Sequence, residues 1–211
     1  MEFDWIFFDC FNTLIDDFDH TGDESGMRPI SHIPANHGLY ESHDHFHLEY
    51  LQWRVDYWAK GNNDEVLLPD RFRSVLQSAK DRSGSTVKVA SIIDEMMEAF
   101  YSLYPKTVRR SPEIESILSN FHGKVGMGVV SNFFLPSFPE RLLREHQLDQ
   151  YFDFIIDSAQ IKVKKPGRKI YQHALDLAKV GQENRGRVLF VGDNFRNDVK
   201  APRELGMQAL H

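Results

Sequence analysis

The chain has 211 residues, 41% hydrophobic and 27% charged, which is enough apolar material for one large domain or a core with a smaller lobe. Its formal net charge of -6 argues against a nucleic-acid partner, because phosphate backbones are bound by basic surfaces. The single cysteine, Cys10, excludes an internal disulfide, and the longest early apolar run, Trp5–Phe8, is far shorter than the roughly 20 residues that cross a bilayer. No membrane partner is expected. Glu2 and Asp4 stand where a signal peptide would carry positive charge, so a cytoplasmic location is the default expectation.

In chain order, the first predicted element is a buried strand over Trp5–Phe8. Further short apolar segments at 125–130, 154–156 and Val188–Val191 read the same way, because each is brief, rich in Val, Ile or Phe, and ends in a polar cluster. A fifth strand is expected at Gln208–Leu210. Between the first two strands the pattern changes. Residues 16–40, rich in Gly, Pro, His and Asp, read as a mobile loop, and no strand is expected between 16 and 105. Three helical faces follow: Leu48, Leu51, Val55 and Trp58; Phe72, Val75, Leu76 and Ala79; and Ile93, Met97, Phe100 and Tyr104. Pro69 and residues 81–86 punctuate them.

After that stretch, helix alternates with strand. Ser111 as N-cap with Pro112 at N1 predicts a helix presenting Ile114, Ile117, Leu118 and Phe121. Ile170, Ala174, Leu177 and Ala178 repeat the spacing before the fourth strand. The fold class expected is α/β: a Rossmann-like, doubly wound parallel sheet from residues 1–15 and 106–211, with an all-helical cap, residues 16–105, inserted into it. Such sheets bind ligands at the carboxyl ends of their strands.

Polar residues gather at those strand ends. The first strand runs into Phe8-Asp9-Cys10-Phe11-Asn12-Thr13-Leu14-Ile15-Asp16, the second into Ser131-Asn132, and the fourth into Gly192-Asp193 with Asn197-Asp198 on the next turn. Lys165-Pro166 opens the helix after the third strand. Taken singly, each has an ordinary reading: a strand-end Asp that caps a turn, a Ser-Asn turn, or a solvated Lys such as Lys162 and Lys164. Three carboxylates at one edge repel unless a cation or proton is shared among them, and magnesium suits oxygen ligands.

All four motifs, in this order, resemble those of the haloacid dehalogenase-like hydrolase superfamily. Asp9, Thr13, Leu14 and Asp16 fall on its opening motif, with Asn12 where Gly is usual; Asn tolerates the positive φ of such a turn. The resemblance implies a phosphatase that forms an aspartyl-phosphate on Asp9 from a small phosphorylated substrate. It further implies Ser131 and Asn132 at the phosphate, Lys165 bridging nucleophile and substrate, and Mg2+ held by Asp9, the Phe11 carbonyl and Asp193, with Asp198 behind a water.

Phe11 is the departure. Phosphatases of this family usually place there a second Asp that protonates the leaving group, and Phe cannot transfer a proton. Asp16 and the cap histidines are the replacements available. An aromatic at that position also resembles the metal-free haloacid dehalogenases, as does Leu48-Glu49-Tyr50. Against this, the preceding segment, His43-Asp44-His45-Phe46-His47, lacks their Arg, and the chain keeps a Gly-Asp pair that they lack. A catalytically impaired binding protein is the third reading left open. His43 and His47 share a helix face while His45 points elsewhere, so only two zinc ligands converge. The family usually continues past the fifth strand, so this sequence, ending at His211, is expected to be trimmed or a short variant.

Overall fold

The apolar runs all become strands of one sheet. In the computed structural model, which describes residues 3–17 and 26–211, β1 spans Trp5–Phe8 and β2 Ile15–Asp17. Five helices follow: α1 (Met27–Ile30), α2 (His32–Asn36), α3 (His43–Ala59), α4 (Leu68–Ser83) and α5 (Val89–Leu103). After β3 (Val108–Arg110) come α6 (Ile114–Phe121), β4 (Gly126–Ser131), α7 (Phe138–Glu145), β5 (Phe154–Asp157), α8 (Ser158–Ile161) and α9 (Arg168–Leu177). The chain ends with β6 (Val188–Val191), a π-helical turn (Phe195–Lys200), α10 (Ala201–Glu204) and β7 (Gln208–Leu210).

Five strands form a parallel sheet in the order β5-β4-β1-β6-β7, as the α/β reading expects. Period-two alternation sorts their side chains onto two faces. Phe7, Val130, Ile156, Val188 and Phe190 share one face and pack with Ile170, Tyr171, Ala174 and Leu175 of α9 and with Ala201 of α10. Ile6, Phe8, Met127 and Val129 point the other way and are also buried. Both faces are covered, which is why these strands read as continuous apolar runs.

Two glycines of β4 make room for rings. A Cβ on Gly126 would lie 2.6 Å from Trp5, and one on Gly128 would lie 2.2 Å from Phe154. Trp5, Phe7 and Phe154 form a ring cluster across that surface, with centroids 5.4–6.0 Å apart. Gly128→Ala is therefore expected to destabilise the protein by about 1–3 kcal/mol through overpacking, read as a lower urea midpoint with unchanged slope.

The chain divides into two units: residues 1–16, 63–65 and 109–211, and residues 17–62 and 66–108. The second is helical. Its α4 has Pro in its first turn and ends at Gly84, whose φ is 65°. It buries Phe72, Val75, Leu76 and Ala79 as expected, and α5 buries Ile92, Ile93, Met96 and Phe100. Among the described residues, no helix is long and apolar enough to cross a membrane.

Several expectations need correction. The apolar face assigned to α3 is turned outward: Leu48, Val55 and Trp58 are 65%, 54% and 48% exposed, while Phe46, His47 and Tyr50 are buried. The stretch read as loop contains α1 and α2 after Gly26, and its residues 18–25 lie outside the described residues. A strand, β2, falls at its start and pairs with β3. The N-cap of α6 is Glu113, with φ 63°, rather than Ser111, whose hydroxyl donates to Asp16 at 3.0 Å. On the same helix Ile117 and Phe121 are largely exposed, as is Leu177 on α9.

Candidate active site

The site is built on the first unit, at the carboxyl ends of β1, β4 and β6. The main chain of Asp9 continues the sheet, its N–H donating to the Val191 carbonyl at 2.8 Å. Asn12, three residues on, takes φ 57°, the positive value its side chain tolerates, and its N–H donates to the Ile15 carbonyl at 2.7 Å. This tight reversal leaves the Asp9 carboxylate facing off the strand end, where one oxygen accepts the Cys10 N–H at 2.7 Å.

Lys165 enters from the loop before α9. Its Nζ lies 2.9 Å from Asp9 Oδ1 and 2.8 Å from Asp198 Oδ1, and its side chain is 1% exposed. Asn132, just after β4, clamps the lysine's backbone from both sides. Its Oδ1 accepts the Lys165 N–H at 2.7 Å, and its Nδ2 donates to the Lys165 carbonyl at 3.0 Å. Of Lys162, Lys164 and Lys165, it is Lys165 whose ammonium lies beside Asp9 and Asp198.

The strand β6 delivers Gly192 and Asp193, and the π-helical turn returns Asp198 to the same place. Asp198 Oδ2 accepts the Asn194 N–H at 3.0 Å, and Asn194 caps the turn by accepting the Asn197 N–H at 3.0 Å. A Cβ on Gly192 would stand 2.5 Å from the Asp198 carboxyl carbon, so only glycine lets this carboxylate close in. Asp9, Asp193 and Asp198 each present an oxygen, all within 4.8 Å of one another; among the described residues this is the one metal-capable group of three or more.

Electrostatics fit that grouping. Burial pushes the Asp9 carboxyl up to about 6; Lys165 opposes the rise and Asp198 adds to it. Burial alone would lower Lys165, but Asp9 and Asp198 outweigh it and hold the ammonium above its ordinary range. Three converging carboxyl groups, two of them bonded to the Lys165 ammonium, form a donor set that suits a hard divalent cation with oxygen ligands.

A model of the haloacid dehalogenase-like hydrolase family matches residues 3–206. The chain belongs to the haloacid dehalogenase-like hydrolases. It is 29% identical over 199 residues to the pyrimidine 5'-nucleotidase YjjG of Escherichia coli (strain K12), covering 94% of this chain and 81% of that protein. Among solved structures, a 2-haloacid dehalogenase from Pseudomonas syringae aligns with a TM-score of 0.72 at 20% identity, over 99% of this chain and 85% of that one. The HAD-hydrolase YfnB of Bacillus subtilis, bound to magnesium, aligns with a TM-score of 0.67 at 13% identity, over 99% and 88%. At such identities these likenesses speak for the fold.

In this haloacid dehalogenase-like hydrolase the remaining expected residues lie close by or apart as follows. Ser131 closes β4 fully buried, and its Oγ is a buried polar atom with no hydrogen-bond partner among the described residues, as is Thr13 Oγ1. A buried hydroxyl left unsatisfied costs about 1–3 kcal/mol, which a bound anionic oxygen would offset. Phe11 stacks on Phe133, with centroids 4.9 Å apart and planes at 17°. Cys10 is buried and its thiol is pushed well up, by burial and then by Asp9, which disfavours the reactive thiolate. Of the histidine cluster, His43 and His45 are exposed while His47 is buried in the helical unit, its Nδ1 3.4 Å from Ser31 Oγ.

Sequence reasoning missed Asn194 and Phe133. Asn194 was legible in principle, as an Asn three residues before Asn197 at a helix start. Nothing in the sequence marks Phe133 as the ring that meets Phe11.

Proposed function

We propose that this hydrolase cleaves phosphate monoesters of small molecules with magnesium, through a covalent aspartyl-phosphate on Asp9. One observation carries the reading: the carboxylates of Asp9, Asp193 and Asp198 converge within 4.8 Å around a single lysine that bonds two of them. Asp9, Asp193 and the Phe11 carbonyl would hold the cation, with Asp198 completing the acidic wall. Bound magnesium supplies charge neutralisation for the phosphoryl oxygens.

The residues divide the remaining work. Asp9 attacks phosphorus with a carboxylate oxygen. The Ser131 hydroxyl, without a hydrogen-bond partner among the described residues, donates to a phosphoryl oxygen. Lys165, fixed through its backbone by Asn132, balances charge on Asp9 and on the transferring group. Water then cleaves the acyl phosphate and frees Asp9. The Escherichia coli relative is a pyrimidine 5'-nucleotidase, which supports a phosphate monoester as substrate.

Hydrolysis of 4-nitrophenyl phosphate is expected to fall to background on adding EDTA and to return with magnesium. The same preparations are assayed for halide release from a 2-halo acid. Halide release that EDTA leaves intact, with no phosphatase activity, would replace this reading by the dehalogenase one.

A further inference from the structure

The π-helical turn that returns Asp198 to the site runs into Pro202. In π register each N–H reaches the carbonyl five residues back, as the Ala201 N–H does to Arg196. The next N–H in line would meet the Asn197 carbonyl, but residue 202 is proline and has none. A side chain takes that place: the hydroxyl of Tyr171, on α9, donates to the Asn197 carbonyl. Tyr171 is fully buried, and its ring meets Phe190 of β6 edge-on, with centroids 5.8 Å apart. The same Phe190 ring has its centroid 5.3 Å from the Lys165 ammonium. The phenol is thus held in one direction by packing. Burial pushes its pKa well up, and Asp198 and then Asp9 add to the rise, so it stays a neutral donor.

That bond falls on the peptide plane that aims Asp198. The Asn197 C=O and the Asp198 N–H belong to one rigid planar unit. Tyr171 holds its oxygen, and the Asn194 carbonyl accepts its N–H at 2.7 Å. With the plane fixed from both ends, the Asp198 side chain leaves the backbone in a set direction. One oxygen meets Lys165 Nζ at 2.8 Å, and the carboxylate stands within 4.8 Å of those of Asp9 and Asp193. Packing against Phe190 asks only for an aromatic ring; holding the plane asks for the hydroxyl. We infer that Tyr171 is a positioning residue that sets the magnesium affinity of the three-carboxylate cluster through the Asn197–Asp198 peptide; this rests on the metal-dependent phosphatase reading above. Losing the donor leaves the carbonyl end of the plane untethered, so Asp198 is no longer aimed, while Asp9 and Asp193 keep their own anchors on β1 and β6.

The test is calorimetric titration of magnesium chloride into the folded protein, which reads the site without turnover. Tyr171→Phe keeps the ring against Phe190 and deletes only the donor. It is expected to raise the magnesium Kd about tenfold, the lower end of what loss of an outer partner costs a metal site. Pro202→Ala supplies the backbone N–H that the π register directs at the Asn197 carbonyl. In that background Tyr171→Phe should raise Kd by less than about threefold, because the two donors serve one acceptor. A hydroxyl that only supports the fold would lower the urea midpoint of metal-free Tyr171→Phe and leave Kd unchanged; that result overturns the inference. An equal rise in Kd with Pro or Ala at 202 also overturns it, since the hydroxyl would then act by a route other than the Asn197 carbonyl. Wild type that takes up no magnesium overturns the metal-dependent reading and this inference with it. That outcome is distinct from magnesium binding that is indifferent to Tyr171.

Discussion

Asp9→Asn is expected to lower phosphate-ester turnover by at least about 10⁴-fold, in line with loss of a nucleophile that no neighbour replaces. The change is nearly isosteric, and the new amide oxygen can still accept the Cys10 N–H that Asp9 accepts at 2.7 Å. It removes a negative charge whose burial already pushes the carboxyl up to about 6, so the fold near neutral pH loses an unfavourable ionisation rather than a support. Lys165 keeps Asp198 at 2.8 Å. Activity and stability should therefore separate: no turnover, and a urea midpoint equal to or above that of wild type. A variant retaining a tenth of the activity would rule Asp9 out as nucleophile. One that unfolds at much lower urea would show instead that its charge is structural.

Lys165→Met carries the largest expected effect on stability. The ammonium is the group bonded to both Asp9 and Asp198, whose side chains are 14% and 0% exposed. Deleting one partner of a buried ion pair typically costs about 3–5 kcal/mol, because the remaining charge is left uncompensated. Two carboxylates are affected here, and Asp193 adds a third nearby. The metal-free variant should lose stability in that range by urea unfolding at pH 7.5. Magnesium should raise its melting temperature by more than it raises that of wild type, since the cation then takes over the neutralisation that Lys165 gave Asp9 and Asp198. A loss under about 1 kcal/mol in the metal-free state would mean that the carboxylates are held apart or solvated, contrary to their geometry.

Much of the fold was legible because buried parallel strands are short and apolar throughout. Phe7 and Phe190 face one helical layer and Ile6 and Val129 the other, so no polar residue interrupts the runs. The four site motifs were legible for a related reason: each sits where such a run stops. What failed were elements whose placement tertiary contacts decide. On α3, apolar side chains lie all around the helix, and spacing chose Leu48 and Val55 over the buried Phe46 and Tyr50. The helices α1 and α2 carry Pro29 and Pro34 and are four and five residues long, a composition that reads as loop. The strands β2 and β3 are three residues each, ending in Asp17 and Arg110, with no apolar run to announce them. At the site, the sequence pointed to Asp9, Lys165, Asp193 and Asp198, but it could not show that Gly192 makes the space for Asp198 or that Phe11 meets a second ring.

The central position of β1 has a consequence for how the protein is made. Its partners, Gly126 and its neighbours on one side and Val188 onward on the other, are synthesised long after it. A nascent chain therefore emerges with an Ile-Phe-Phe segment that has nothing to pair with, while the helical unit, whose contacts are nearer in sequence, is translated in full before β4 appears. Sheet assembly must wait for distant segments, which slows folding and leaves a sticky N-terminal strand exposed on the ribosome, the situation in which holding chaperones act. Truncated chains ending before β4 should carry that strand in a chaperone-bound or aggregated form, even where their helices have already formed.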